Sequence, residues 1–215
     1  FSLDSLLLAE FTKLRQSDKL ILDMCTGNAP VPLVLSLKTD AKIIGFELQR
    51  AIAELAWESI SINGLDKQIK VINDDVKNIG EFFKPNTFDV ITCNPPYFKI
   101  NDDKNKNKND YLTLARHEIA IDLETIFKLV NRFLKDNGVF YMVHRAERLD
   151  EIIILANKYK LNVKEIQFIS TKKNNNPSTI LVKCVKNSKI GVKIKREICV
   201  DNLSTYQHLF EGSGK

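Results

Sequence analysis

The sequence predicts an α/β protein built on one doubly wound sheet of seven strands, mostly parallel and closed by a final antiparallel hairpin. Three observations carry that prediction. Short apolar runs alternate with segments of helical periodicity from the N-terminus to Tyr159. The first three runs each lead into an acid, at Asp23, Glu47 and Asp74 or Asp75. The last two, Val163–Ser170 and Ser178–Lys186, follow one another with no helix between them, as the strands of a hairpin do.

Phe1–Lys13 has helical character, with Ser2 or Asp4 available as a cap and Leu6, Leu7, Leu8 and Phe11 on an apolar face. Lys19–Met24 reads as the first buried strand. It opens into Cys25-Thr26-Gly27-Asn28-Ala29-Pro30-Val31-Pro32 and then the apolar run Leu33–Leu37. A strand, a tight turn with glycine and a helix bring backbone N–H groups close to a ligand, and Pro30 or Pro32 suits the first helical turn. Asp23 is expected to end its strand facing that ligand. One glycine stands where dinucleotide folds carry three, so the turn alone also fits a plain strand-to-helix connection.

The second strand, Ala41–Phe46, ends in Glu47. An acid about 20 residues after such a turn holds a ribose diol in a βαβ nucleotide site. Gln49–Ile62 is a helix expected to bury Ile52, Leu55, Ala56 and Ile60, and Asn63-Gly64 stops it. The third strand, Gln68–Ile72, runs into Asn73-Asp74-Asp75 and is followed by a short helix over Lys77–Phe83. Together the acids point to a ligand carrying a ribose and an exocyclic amine or a cationic group.

The fourth strand, Phe88–Thr92, meets Cys93-Asn94-Pro95-Pro96-Tyr97-Phe98. Pro95 and Pro96 fix φ and lack N–H donors, so neither a helix nor a central strand continues through them. An asparagine, a backbone carbonyl and an aromatic ring are thereby held at a strand's C-terminal end, where open α/β sheets bind their ligands. The chemistry suits an amino group on a flat ring. Asn94 Oδ1 and the Pro95 carbonyl each accept one N–H, and Tyr97 stacks on the ring. Holding both hydrogens turns the nitrogen lone pair out of conjugation and aims it at an electrophile.

Lys99–Asp110 is polar and of low complexity, and reads as a loop. Asp122–Leu134 is a helix capped by Asp122 and ended by Asn137-Gly138. Val139–Val143 is the fifth strand and leads to His144-Arg145. A helix over Glu147–Tyr159, with Leu149, Ile152, Ile153 and Ala156 on its apolar face, precedes the hairpin. The hairpin turn carries Lys172 and Lys173. Residues 1–186 form one domain on this reading, and 187–215 an extension in which Val192–Val200 suggests a further strand.

At 215 residues and 44% hydrophobic content the chain buries a sizeable single core. A net charge of +5 hints at an anionic partner. No run reaches membrane-spanning length and no secretory leader is visible, while Phe1 is not an initiator and implies residues upstream. Cys25, Cys93, Cys184 and Cys199 show no Cys-x-x-Cys spacing, which argues against a zinc site and a disulfide framework. A cytoplasmic protein with reduced thiols and no metal is expected. Cys25 and Cys93 should be neighbours, at the ends of strands that meet at the topological switch point.

These motifs resemble the class I S-adenosylmethionine methyltransferases that act on amino nitrogens, with their Rossmann-like sheet. The nearer likeness is to the bacterial tRNA1(Val) adenine-N6 methyltransferases. It rests on Phe1-Ser2 with Asp4-Ser5-Leu6-Leu7-Leu8-Ala9, on Asp23-x-Cys25-Thr26-Gly27-Asn28-Ala29-Pro30 and on Cys93-Asn94-Pro95-Pro96-Tyr97-Phe98. Ala115-Arg116-His117-Glu118 and Tyr141-Met142-Val143-His144-Arg145 add to it. The resemblance implies S-adenosylmethionine as cofactor and an adenosine of tRNA beside the anticodon as substrate. Asp23, Thr26, Gly27 and Asn28 would surround the methionine moiety, Glu47 with Leu48 the ribose, and Asp75 with Val76 the cofactor adenine. Asn94, Pro95, Pro96 and Tyr97 would hold the target adenine. Where the broad superfamily favours glycine, this chain has Cys25 and Ala29.

The basic residues decide between substrates. In such a fold the loops after strands four and five share a rim with the hairpin turn. That rim would gather Phe98, Lys104, Lys106, Lys108, Arg116, His117, His144, Arg145, Lys172 and Lys173 against RNA. Solvated lysines are the plain alternative for the Lys-Asn tract. A protein glutamine N5-methyltransferase carries the same Asn-Pro-Pro-Tyr but typically a separate helical N-terminal domain. A non-catalytic nucleotide-binding module is the third reading.

Overall fold

The computed structural model describes residues 2–96, 121–172 and 175–200. Seven strands form the body of one sheet: β1 (Leu20–Met24), β2 (Lys42–Glu47), β3 (Ile69–Asn73), β4 (Phe88–Cys93), β5 (Leu134–Arg145), β6 (Leu161–Ser170) and β7 (Thr179–Lys186). Their spatial order is β3-β2-β1-β4-β5-β7-β6. The first five run parallel, while β7 is antiparallel to both β5 and β6. β6 is therefore parallel to β5, and the C-terminal ends of β4, β5 and β6 share one rim. Two short strands, β8 (Lys193–Ile194) and β9 (Ile198–Cys199), pair with the outer edge of β6 and carry the sheet past Lys186.

Alternation along the central strands splits the core into two layers. On one face Ile21, Ile43, Val71 and Val90 pack with α1 (Leu3–Phe11), α2 (Pro30–Ser36) and α3 (Arg50–Ile62). On the other Leu22, Met24, Phe46, Ile91 and Cys93 pack with α4 (Leu123–Phe133) and α5 (Leu149–Lys158). Ser2 caps α1 by accepting the Ser5 N–H at 3.2 Å, and Asp122 caps α4 by accepting the Thr125 N–H at 2.8 Å.

Four expectations are corrected. The connector after β3 is a 3-10 helix, Val76–Glu81, capped by Asp75, since six residues are too few to repay α-helix nucleation. Helix α4 ends at Phe133, within one residue of the expected Leu134, but Asn137-Gly138 is not what stops it, because Leu134 already pairs with Phe88 in the sheet. Asn137, at φ +61°, instead lies in the register shift before Val139 meets Val90. In α3 the buried stripe is Ala53, Ala56 and Ile60, with Leu55 49% exposed. In α5 Leu155 takes the inward place expected of Ile153.

Candidate active site

A cavity of about 610 Å³ opens at the C-terminal ends of β1, β2, β3 and β4. Its floor is the topological switch point, where β1 lies between β2 and β4 and the crossovers depart in opposite directions. One end is walled by Thr26, Gly27 and Asn28 after β1, by Glu47 and Leu48 at β2, and by Asp75 and Val76 after β3. The other end is walled by Asn94, Pro95 and Pro96 and by Ser2, Asp4 and Ser5 from the start of α1. The cavity thus joins the nucleotide-type residues to the asparagine-proline turn.

The loop after β1 is tightly wound. Cys25, Gly27 and Ala29 have φ of 57°, 58° and 66°, so two residues with side chains, Cys25 and Ala29, sit in the left-handed region that favours glycine. A Cβ on Gly27 would meet nothing within 4 Å, which leaves its backbone bare to the cavity. Glu47 fastens this loop to the next. Its Oε2 accepts the Gly27 N–H and its Oε1 the Gln49 N–H, each at 2.9 Å. Asp75 Oδ1 accepts the Lys77 N–H at 2.9 Å, and Oδ2 pairs with Lys77 Nζ at 3.0 Å.

Asp23 departs from expectation. It is 1% exposed and lies under the loop, outside the cavity lining. Its Oδ2 accepts from the Thr26 hydroxyl and its Oδ1 from the Thr92 hydroxyl, both at 2.6 Å. Burial pushes its carboxyl up to about 7 against the pull of those two donors. Asp23 therefore ties the loop after β1 to the end of β4 through Thr26 and Thr92. Gly45 belongs to the same arrangement, because a Cβ there would stand 2.8 Å from Thr26 Cγ2.

Cys25 and Cys93 are neighbours, as the strand order required. Met24 is level with Cys93, and burial, then the hydrogen bond with the Cys25 thiol, raise the Cys93 thiol well above its ordinary value. All four cysteines are free. Among the described residues no group of His, Cys, Asp and Glu is placed to hold a metal ion, and no helix is long and apolar enough to cross a membrane.

Arg145 and Lys172 are exposed and share a rim. Arg145 is level with Thr179, and the Ala146 N–H donates to Ser178 O at 3.0 Å across the base of the hairpin. His144, by contrast, is 6% exposed, and burial lowers it to about 4, so it offers no surface cation. Tyr97, Phe98, Lys104, Lys106, Lys108, Arg116, His117 and Lys173 lie outside the described residues.

Sequence reasoning assigned no part in the site to Ser5. Asn94 Nδ2 donates to Ser5 Oγ at 2.9 Å across 89 positions of sequence. Nothing in a one-dimensional pattern marks such a pair. The only signal was Asp4-Ser5 standing inside a stretch that resembled a known family.

A relative from Phocaeicola vulgatus, named tRNA1(Val) (adenine(37)-N6)-methyltransferase, is 27% identical over 162 residues, covering 75% of this chain and 67% of its own. A protein of the same name from Bacteroides thetaiotaomicron is 28% identical over 193 residues, covering 88% and 78%. Among solved structures, a predicted O-methyltransferase, Atu636 of Agrobacterium tumefaciens, superposes with a TM-score of 0.70 at 18% identity over 92% of this chain and 87% of its own. Geranyl diphosphate C-methyltransferase from Streptomyces coelicolor A3(2) does so with a TM-score of 0.61 at 10% identity, over 85% and 76%. The family described as "Methyltransferase domain" matches residues 15–198, strands β1 to β8 among them, and the chain belongs to that family.

Proposed function

We propose that this chain transfers a methyl group from S-adenosylmethionine to the exocyclic N6 of an adenosine in tRNA, beside the anticodon. The observation that carries the reading is the single cavity in which the Gly27 loop, Glu47 and Asp75 face the Asn94-Pro95-Pro96 turn. A volume of about 610 Å³ suits a nucleoside-sized cofactor with room for a second base. The bare backbone at Gly27 fits a close-lying methionine moiety, and the Glu47 carboxylate fits the ribose hydroxyls. The relatives named for tRNA1(Val) supply the substrate class.

S-adenosylmethionine, when bound, supplies an electrophilic methyl on a sulfonium. The residues of the chain have to hold the amine in line with that methyl and keep water out. Asn94 Oδ1 and the Pro95 carbonyl accept the two N–H groups of N6, and the proline pair keeps both acceptors rigid. An adenine amine becomes strongly acidic only as the new bond forms, so positioning and electrostatics supply the rate and no strong base is required.

Incubation of the protein with labelled S-adenosylmethionine and total tRNA, followed by nucleoside mass spectrometry, should yield N6-methyladenosine. Label in a release-factor protein and none in tRNA would replace this reading by the glutamine one.

A further inference from the structure

Asn94 reaches the cavity from the end of β4, and one group that holds its amide comes from the first turn of α1. Asn94 Nδ2 donates to Ser5 Oγ at 2.9 Å, Ser5 Oγ lies 2.8 Å from Ser2 Oγ, and Ser2 Oγ also accepts the Ser5 N–H at 3.2 Å. All three residues line the cavity, and Ser5 is only 5% exposed. An asparagine amide has an acceptor end and a donor end of nearly equal shape, and its terminal torsion is broad and roughly twofold. A partner that accepts from Nδ2 favours the orientation in which Oδ1 serves a substrate.

Ser5 has one hydroxyl proton and two lone pairs. Either hydroxyl of the Ser2–Ser5 pair can donate; with Ser5 donating, its proton is spent on the lone pair that Ser2 Oγ keeps beside the one taken by the Ser5 N–H. A Ser5 hydroxyl so engaged offers Asn94 lone pairs only, and lone pairs select Nδ2. We infer that Ser5, held by Ser2, is a positioning residue that turns the Asn94 amide so that Oδ1 is presented to the acceptor amine. The inference rests on the role of Asn94 proposed above. In the reversed amide Nδ2 would oppose the two N–H groups of the amine, and the acceptor that directs its lone pair would be lost. The start of α1 thus belongs to the acceptor side of the site, although the sheet and the asparagine-proline turn are made without it.

The test measures single-turnover transfer from labelled S-adenosylmethionine to total tRNA for Ser5→Ala, Ser5→Thr and Ser2→Ala. Each is made alone and in an Asn94→Asp background, with cofactor affinity followed by calorimetry. Ser5→Ala should lower the transfer rate by about tenfold or more while the cofactor dissociation constant changes less than about threefold, the loss of one directed hydrogen bond. Ser5→Thr, which keeps the hydroxyl, should recover most of the rate, and Ser2→Ala should lose an intermediate amount. The double variant discriminates. A carboxylate has two like oxygens and no orientation to lose, so Ser5→Ala should cost the Asn94→Asp protein less than about threefold further. Equal losses in both backgrounds, or an unchanged rate in Ser5→Ala, would overturn the inference. Should buried Ser5→Ala fail to fold, the exposed Ser2 carries the same comparison. If the unaltered chain methylates a release-factor glutamine instead of tRNA, the substrate reading falls, and the Ser5 comparison is scored on that amine.

Discussion

Asp23 Oδ2 accepts the hydroxyl proton of Thr26 at 2.6 Å from beneath the loop that walls the cavity. The acid nearest the sheet centre supports the loop from below, and the acids that line the cavity are Asp4, Glu47, Asp74 and Asp75.

This buried acid predicts a pH dependence. Burial raises Asp23 to about 7 in the folded protein, against 3.8 for the ordinary group. Between those values the folded chain holds a proton that the unfolded chain has released, so stability falls as pH rises from about 4 to about 7. His144, lowered to about 4 by burial, acts with the opposite sign below its ordinary value of 6.5, so the comparison has to be made against a variant. Unfolding in urea should show wild type gaining on Asp23→Asn as pH drops from about 8 to about 5, by on the order of a few kcal/mol. A difference independent of pH would refute titration at this carboxyl.

Glu47 is predicted to act twice, on the Gly27 loop and on the ligand. Glu47→Ala removes the acceptors of two backbone N–H groups and should raise the S-adenosylmethionine dissociation constant by about tenfold or more. Glu47→Gln places an NH2 group against one of those N–H donors and should also weaken binding. Isothermal calorimetry reads both, and unchanged affinity in either would remove Glu47 from the site.

Gly45→Ala puts a methyl 2.8 Å from Thr26 Cγ2 in a packed layer and should destabilise the fold by about 1–3 kcal/mol. Adding Thr26→Ala should recover part of that loss, because it removes both side-chain atoms that lie under 3.0 Å from the new methyl. Urea midpoints of the single and double variants give the answer.

The rim formed by Arg145 and Lys172 is predicted to meet phosphates. Replacing both with Ala should raise the dissociation constant for total tRNA and lower the salt slope by about 0.7–0.9 for each phosphate no longer neutralised, with cofactor affinity unchanged. An unaltered slope would make them ordinary solvated charge.

The fold was legible because its signals are local. Apolar runs of strand length, helical periodicity and the abrupt stop at Pro95-Pro96 each depend on a few neighbouring residues. Handed crossovers then leave few arrangements of such elements. Leu55 and Ile153 were misplaced because a helical face drawn from periodicity alone does not know which way its neighbours turn it. Ala53 and Leu155 took the inward places.

The sequence by itself determined the order of elements, the acid after each early strand and the asparagine-proline turn that stops β4. Only the tertiary structure decided that Asp23 lies beneath the floor, that Gly45 makes room for Thr26, and that Ser5 meets Asn94. The physical reason is range. Backbone propensity and side-chain periodicity act over a few residues, whereas a hydrogen bond across 89 positions exists only once the sheet and α1 have packed.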